Sequence, residues 1–73
     1  MGSPTRSKRY RDFLERLRDA RSELGLTQDE VARHLGKPQS FVSKCESGER
    51  RVDIVELERF AEIYGKKVTY FLP

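Results

Sequence analysis

The sequence predicts an all-α fold, a compact bundle of four to five short helices, on three observations. Apolar residues recur at spacings of three and four, the pattern of one buried helical stripe, with no convincing strand alternation. Gly25, Gly36, Gly48 and Gly65 each follow such a run, where helices stop. Thr27-Gln28-Asp29-Glu30 and Asp53-Ile54-Val55-Glu56 read as capping boxes, in which the cap side chain and a glutamate three residues on satisfy each other's amides.

Residues 1–6 hold Gly, Ser, Pro and Thr without periodicity and are expected to form a mobile tail, leaving 7–73 as the domain. The first helix runs from about Tyr10, with Phe13, Leu14, Leu17, Ala20 and Leu24 on its apolar stripe. Asp12 with Arg16 and Glu15 with Arg18 are expected to pair along its exposed face. The second helix opens at Thr27, buries Val31, Ala32 and Leu35, and ends at Gly36 after about two turns. Lys37-Pro38 turns the chain into a third helix, Gln39 to Ser47, which buries Val42 and Cys45. Asp53 caps the fourth, whose apolar face is Ile54, Leu57, Phe60, Ala61, Ile63 and Tyr64. Val68, Tyr70, Phe71 and Leu72 fit a last short helical turn.

The chain's 73 residues make one small domain, with too few apolar side chains, 36%, to wall a deep substrate pocket of about 300 Å³ as well as a core. A single cysteine excludes an internal disulfide framework and points to the reducing cytoplasm. There is no apolar run of the ~18 residues that cross a membrane. Fifteen Lys and Arg against twelve Asp and Glu give a net charge of only +3, but its placement is uneven. Arg6, Lys8, Arg9 and Arg11 crowd one end, while Asp53, Glu56, Glu58 and Glu62 outnumber Arg59 in the fourth helix, a one-sidedness that suits a polyanionic partner.

Gln28 to Ser47 is the most informative stretch. Its two short helices are joined by a turn too tight for an antiparallel pair, which is helix-turn-helix geometry. Ala32 is small where the third helix crosses the second, Gly36 permits the positive φ of the turn, and Val42 fills the angle between them. Ser40, Ser43, Lys44 and Ser47 share one polar stripe of the third helix opposite Val42 and Cys45, with Gln39 at its start. Such a helix fits a major groove about 12 Å wide, where a glutamine can bond adenine N6 and N7 and a lysine can donate to guanine.

Leu24-Gly25-Leu26-Thr27-Gln28, Val31-Ala32, Leu35-Gly36, Gln39-Ser40, Val42-Ser43-Lys44, Glu46 and Gly48 resemble the signature of the phage-repressor and Cro family of helix-turn-helix DNA-binding proteins, also called the xenobiotic-response-element type. The likeness covers roughly residues 10 to 72. It implies a lambda-repressor-like domain that binds double-stranded operator DNA as a symmetric homodimer, with Gln39, Ser40, Ser43, Lys44 and Ser47 towards the bases and Gln28, Arg50 and Arg51 on phosphate. It also implies a salt bridge between Arg21 and Glu46 that ties the first helix to the third.

Pro38 and Cys45 depart from the pattern: the third helix lacks a side-chain cap, and a small buried thiol replaces a larger apolar residue. Phe41 falls between the core and outer faces, and flank packing is the expectation for it. One histidine, one cysteine and carboxylates interleaved with arginines form no metal-spaced or nucleophilic cluster, so neither an enzyme nor a cofactor is expected. The rival reading is a protein-interaction module, such as an antitoxin that binds a partner protein and regulates its own operon. The dimer is expected to use Val68, Tyr70, Phe71 and Leu72 with the loop at Arg51 and Val52, part of that set also serving the core.

Overall fold

The computed structural model describes residues 7–73, so the expected tail at 1–6 lies outside the described residues. Four α-helices follow one another: α1 (Lys8–Glu23), α2 (Gln28–Leu35), α3 (Gln39–Ser47) and α4 (Ile54–Tyr64), with a closing 3-10 turn at Val68–Phe71. No strand is present among the described residues.

Helix α1 starts two residues ahead of its apolar stripe because Ser7 caps it, its hydroxyl accepting from the Tyr10 amide at 3.2 Å. Phe13, Leu14, Leu17 and Ala20 are buried, as their spacing requires. Leu24 is not: it lies beyond the helix at the C-cap and is 53% exposed. The expected pairs along α1 are also replaced. Asp12 is bridged to Lys8 at 3.0 Å, while Arg16 donates to the Tyr70 carbonyl at 3.0 Å and Arg18 to the Glu46 carbonyl at 2.8 Å. These two arginines stitch α1 to other elements rather than to its own next turn.

Thr27 and Asp53 both form complete capping boxes with Glu30 and Glu56. Gly36 closes α2 at φ 70°, and the Lys37 amide reaches back to the Ala32 carbonyl at 3.0 Å. A Cβ at Gly36 would meet nothing within 4 Å, so the backbone conformation, not crowding, calls for glycine. In α4 the buried residues are Leu57, Phe60, Ala61 and Tyr64, whereas Ile54, placed on the apolar face by its spacing, is 62% exposed. It is the first residue of the helix, one turn outside the packed stripe.

Leu17, Ala20, Val31, Val42, Cys45, Phe60 and Phe71 are completely buried, so α1, α2, α3, α4 and the closing turn all feed one core. Burial pushes the Cys45 thiol above its ordinary pKa and leaves it a packing group. Around this core α2 and α3 pack on each other and α1 backs α3, which leaves the outer side of α3 facing away from the domain. A hollow larger than the composition led us to expect, about 460 Å³, does occur, but it is an open groove, lined by Tyr10, Phe13, Val52, Ile54, Leu57 and Leu72 among others. No helix of the described residues is long and apolar enough to cross a membrane.

Candidate nucleic-acid interface

Helix α3 spans nine residues and opens at Pro38, which supplies no side-chain cap. Val42, Cys45 and Glu46 face inward, and Gln39, Ser40, Lys44 and Ser47 are exposed, with Ser43 half-buried at the edge of that stripe. The side chains of Ser40, Ser43 and Lys44 make no hydrogen bond or ion pair among the described residues. Ser47 is turned back on its own chain, its hydroxyl donating to the Lys44 carbonyl at 3.2 Å and accepting from the Glu49 amide at 3.3 Å. It finishes the helix as well as standing on the outer stripe.

Beneath this surface runs a polar chain. Glu46 is 2% exposed. A carboxylate this buried needs partners, and Arg21 meets it with two bonds, Nε to Oε2 at 2.7 Å and Nη2 to Oε1 at 3.0 Å. The hydrogen bond to Glu46 raises the Arg21 pKa further above neutrality, and Arg21 also donates to the Leu26 carbonyl at 2.9 Å. Gln28 Nε2 then donates to Glu46 Oε1 at 3.0 Å, and Gln39 Nε2 donates to Gln28 Oε1 at 2.9 Å. The direction of the chain follows from donor chemistry: a carboxylate only accepts, so Gln28 must turn its NH2 to Glu46 and its oxygen to Gln39. The sequence placed Gln28 and Gln39 separately, one for phosphate and one for bases. Their joint anchoring on the buried ion pair has no sequence signal, since Gln28 lies on α2, across the turn from Gln39 and Glu46 on α3.

Capacity remains at both glutamines. Each amide has two N–H bonds and two acceptor sites. Gln39 spends one N–H and keeps the other beside a whole oxygen, the pair that adenine N7 and N6 require. Gln28 keeps one N–H for an anion at the start of α2.

The loop after α3 is less free than its charge implied. Arg50 is held bidentately by Glu56, Nη1 to Oε1 at 2.8 Å and Nη2 to Oε2 at 2.9 Å. Its Nη1 also donates to the Arg51 carbonyl, and its guanidinium sits 4.7 Å from the Phe41 ring centre. Arg50 holds the Glu56 carboxyl below the usual carboxylate range. Phe41 is half-buried against the core, which is the flank packing expected of it. Arg51 is exposed and stacks 4.6 Å over Tyr10, whose hydroxyl accepts from the Val52 amide at 3.1 Å and ties this loop to α1. The structural residues Ala32 and Val42 are buried between α2 and α3, at 1% and 0% exposure. Among the described residues no group of three or more His, Cys, Asp or Glu could hold a metal ion.

A core formed by all the elements, two short helices set at a tight turn and an outward polar helix define a helix-turn-helix DNA-binding domain. A family model described as a helix-turn-helix domain matches residues 12–67. An XRE-family like protein from Pseudomonas syringae pv. tomato is 46% identical, covering 86% of this chain and 77% of its own, with a TM-score of 0.81. The restriction-modification controller protein C.AhdI from Aeromonas hydrophila is 30% identical over 84% of this chain and 92% of its own, with a TM-score of 0.77. Hydroxypropylphosphonic acid epoxidase from S. wedmorenis is 27% identical with a TM-score of 0.77, but the likeness covers only 33% of that chain. No curated protein matches. The chain therefore belongs to the helix-turn-helix family of DNA-binding transcription regulators, of the phage-repressor and Cro-like, or XRE, type.

Proposed function

We propose that this protein is a cytoplasmic, non-catalytic repressor that binds an inverted-repeat operator as a homodimer, with α3 in the major groove. The observation that carries the reading is Gln39, fixed at the exposed start of α3 by Gln28 and still holding a free donor and acceptor pair for adenine. Lys44 supplies a donor for guanine O6 or N7. Ser40, Ser43 and Ser47 are small enough to let the helix approach base edges and bond them directly or through water. Gln28 and Arg51 take phosphate on either side of α3. The second copy docks at the groove where Val52, Ile54 and Leu72 come together. The C.AhdI controller protein, named for a regulatory role and similar over 92% of its own chain, supports the reading as a transcription regulator.

Selection from a pool of randomised duplexes of about 24 bp, near physiological salt, tests this reading. An enriched inverted repeat with half-sites about one helical turn apart is the expected result. No enrichment would overturn the operator reading and favour a partner protein as the main ligand, as in an antitoxin.

A further inference from the structure

Arg50 lies three residues past the end of the outward helix, where a cation would meet phosphate, yet its guanidinium is occupied. Glu56 takes two of its donors at 2.8 and 2.9 Å, the Arg51 carbonyl shares one of them, and Phe41 of α3 covers it at 4.7 Å. The carboxylate is not needed for folding α4. The capping box asks only for an acceptor at position 56, here taken by the Asp53 amide at 3.1 Å, and a glutamine serves there as well. Nor is the pair buried, the side chains of Arg50 and Glu56 being 43% and 22% exposed. What the negative charge adds is a hold on Arg50.

Resting on the DNA-binding reading, we propose that Glu56 is a specificity-determining positioning residue that withholds the Arg50 guanidinium from the DNA backbone. A cation on phosphate strengthens binding to every sequence alike, because it releases counterions whatever the bases. By keeping Arg50 neutralised and stacked on Phe41, Glu56 lowers sequence-independent affinity while the same contact braces α3. Base contacts from Gln39 and Lys44 then form a larger share of the binding free energy. Lys37, 5.5 Å from the same ring, and Arg51 remain as the neighbouring cations.

The experiment compares wild type, Glu56→Gln, Arg50→Met and the double variant on one fixed random duplex, with affinity measured by fluorescence anisotropy between about 50 and 200 mM KCl. Glu56→Gln should steepen the slope of log K against log salt by about 0.9, a further loss of about 3.5-fold across that range. Arg50→Met should leave the wild-type slope unchanged, and the double variant should return to it. An Arg50→Met slope shallower than wild type would show that Arg50 already leaves Glu56 for phosphate and would overturn the proposal. So would a Glu56→Gln protein with a native melt and an unchanged slope. Should Glu56→Gln not fold, the Arg50→Met slope decides alone, since that variant keeps the capping box. Wild type that binds no duplex at any salt overturns the DNA-binding reading itself, whereas wrong slopes with intact binding overturn only the role of Glu56.

Discussion

Arg21 and Glu46 face each other through two hydrogen bonds, at 2.7 and 3.0 Å, and so tie α1 to α3 from the inside. The side chain of Arg21 is 19% exposed and that of Glu46 only 3%, so the pair is largely removed from water. Its formation balances a heavy desolvation cost, and breaking it leaves one buried charge uncompensated. Arg21→Met is therefore expected to cost about 3 kcal/mol, a large share of a small domain's stability, and to lower Tm by more than about 10 °C. Replacing both, Arg21→Met with Glu46→Leu, should recover much of that loss. Thermal melts followed by circular dichroism measure both effects, and an unchanged melt for Arg21→Met would remove the structural role.

Gln28 and Gln39 should behave as one unit in DNA binding. Gln39→Ala is expected to cost about 1–3 kcal/mol on the selected operator and to relax the preference at a single base pair. Gln28→Ala leaves the base contact in place but frees the Gln39 amide to rotate, so it should weaken the same base preference as well as the phosphate contact. A double-mutant cycle should show coupling of at least about 0.5 kcal/mol. Strict additivity would mean that the 2.9 Å contact between them does not persist on DNA.

Most of the framework was legible in the sequence because each device is local. Both capping boxes, Gly36 as the stop of α2 and the buried stripe of α1 depend on residues within one or two turns, and all occur where the spacing places them. The departures share one cause, which is that a helical wheel does not know where packing ends. Leu24 and Ile54 have the right periodicity but sit at helix ends, outside the reach of neighbouring elements. Arg16 and Arg18 have charge partners at helical spacing yet bond carbonyls of Tyr70 and Glu46 instead. In the site, the residue types of α3 were readable, whereas the Gln28 to Gln39 link and the Arg50 to Glu56 hold cross between elements and carry no periodicity.

The apolar groove between α1, the start of α4 and the end of the chain gives a test of assembly that spares the fold. Ile54 at 62% and Leu72 at 51% exposure contribute little to the core, while Phe71 at 0% is part of it. Ile54→Asp and Leu72→Asp should thus leave the melt within about 1 kcal/mol of wild type while abolishing the proposed homodimer. Sedimentation velocity, with the wild type as the reference, reads the result. Dimers that survive both substitutions would place the interface on another face.

Tyr64 carries the one buried side-chain oxygen without a hydrogen-bond partner among the described residues. Burial is the chief cause that pushes its phenol pKa upward, with the nearby Glu46 charge adding to it and Arg21 opposing it. The raised value means that the native state keeps its proton at a pH where the unfolded chain has lost it. Stability from this group is therefore complete below the unfolded tyrosine pKa of about 10 and falls as pH rises above it. Tyr64→Phe removes both the stranded hydroxyl and the titration. At pH 7 it should raise stability by about 1 kcal/mol, or about 4–8 °C in Tm, and above about pH 10 its advantage over wild type should widen. Melts at pH 7 and pH 10.5 decide the matter. A destabilised Tyr64→Phe would show that the hydroxyl is bonded in solution, and a pH-independent difference would show that its ionisation is not linked to unfolding.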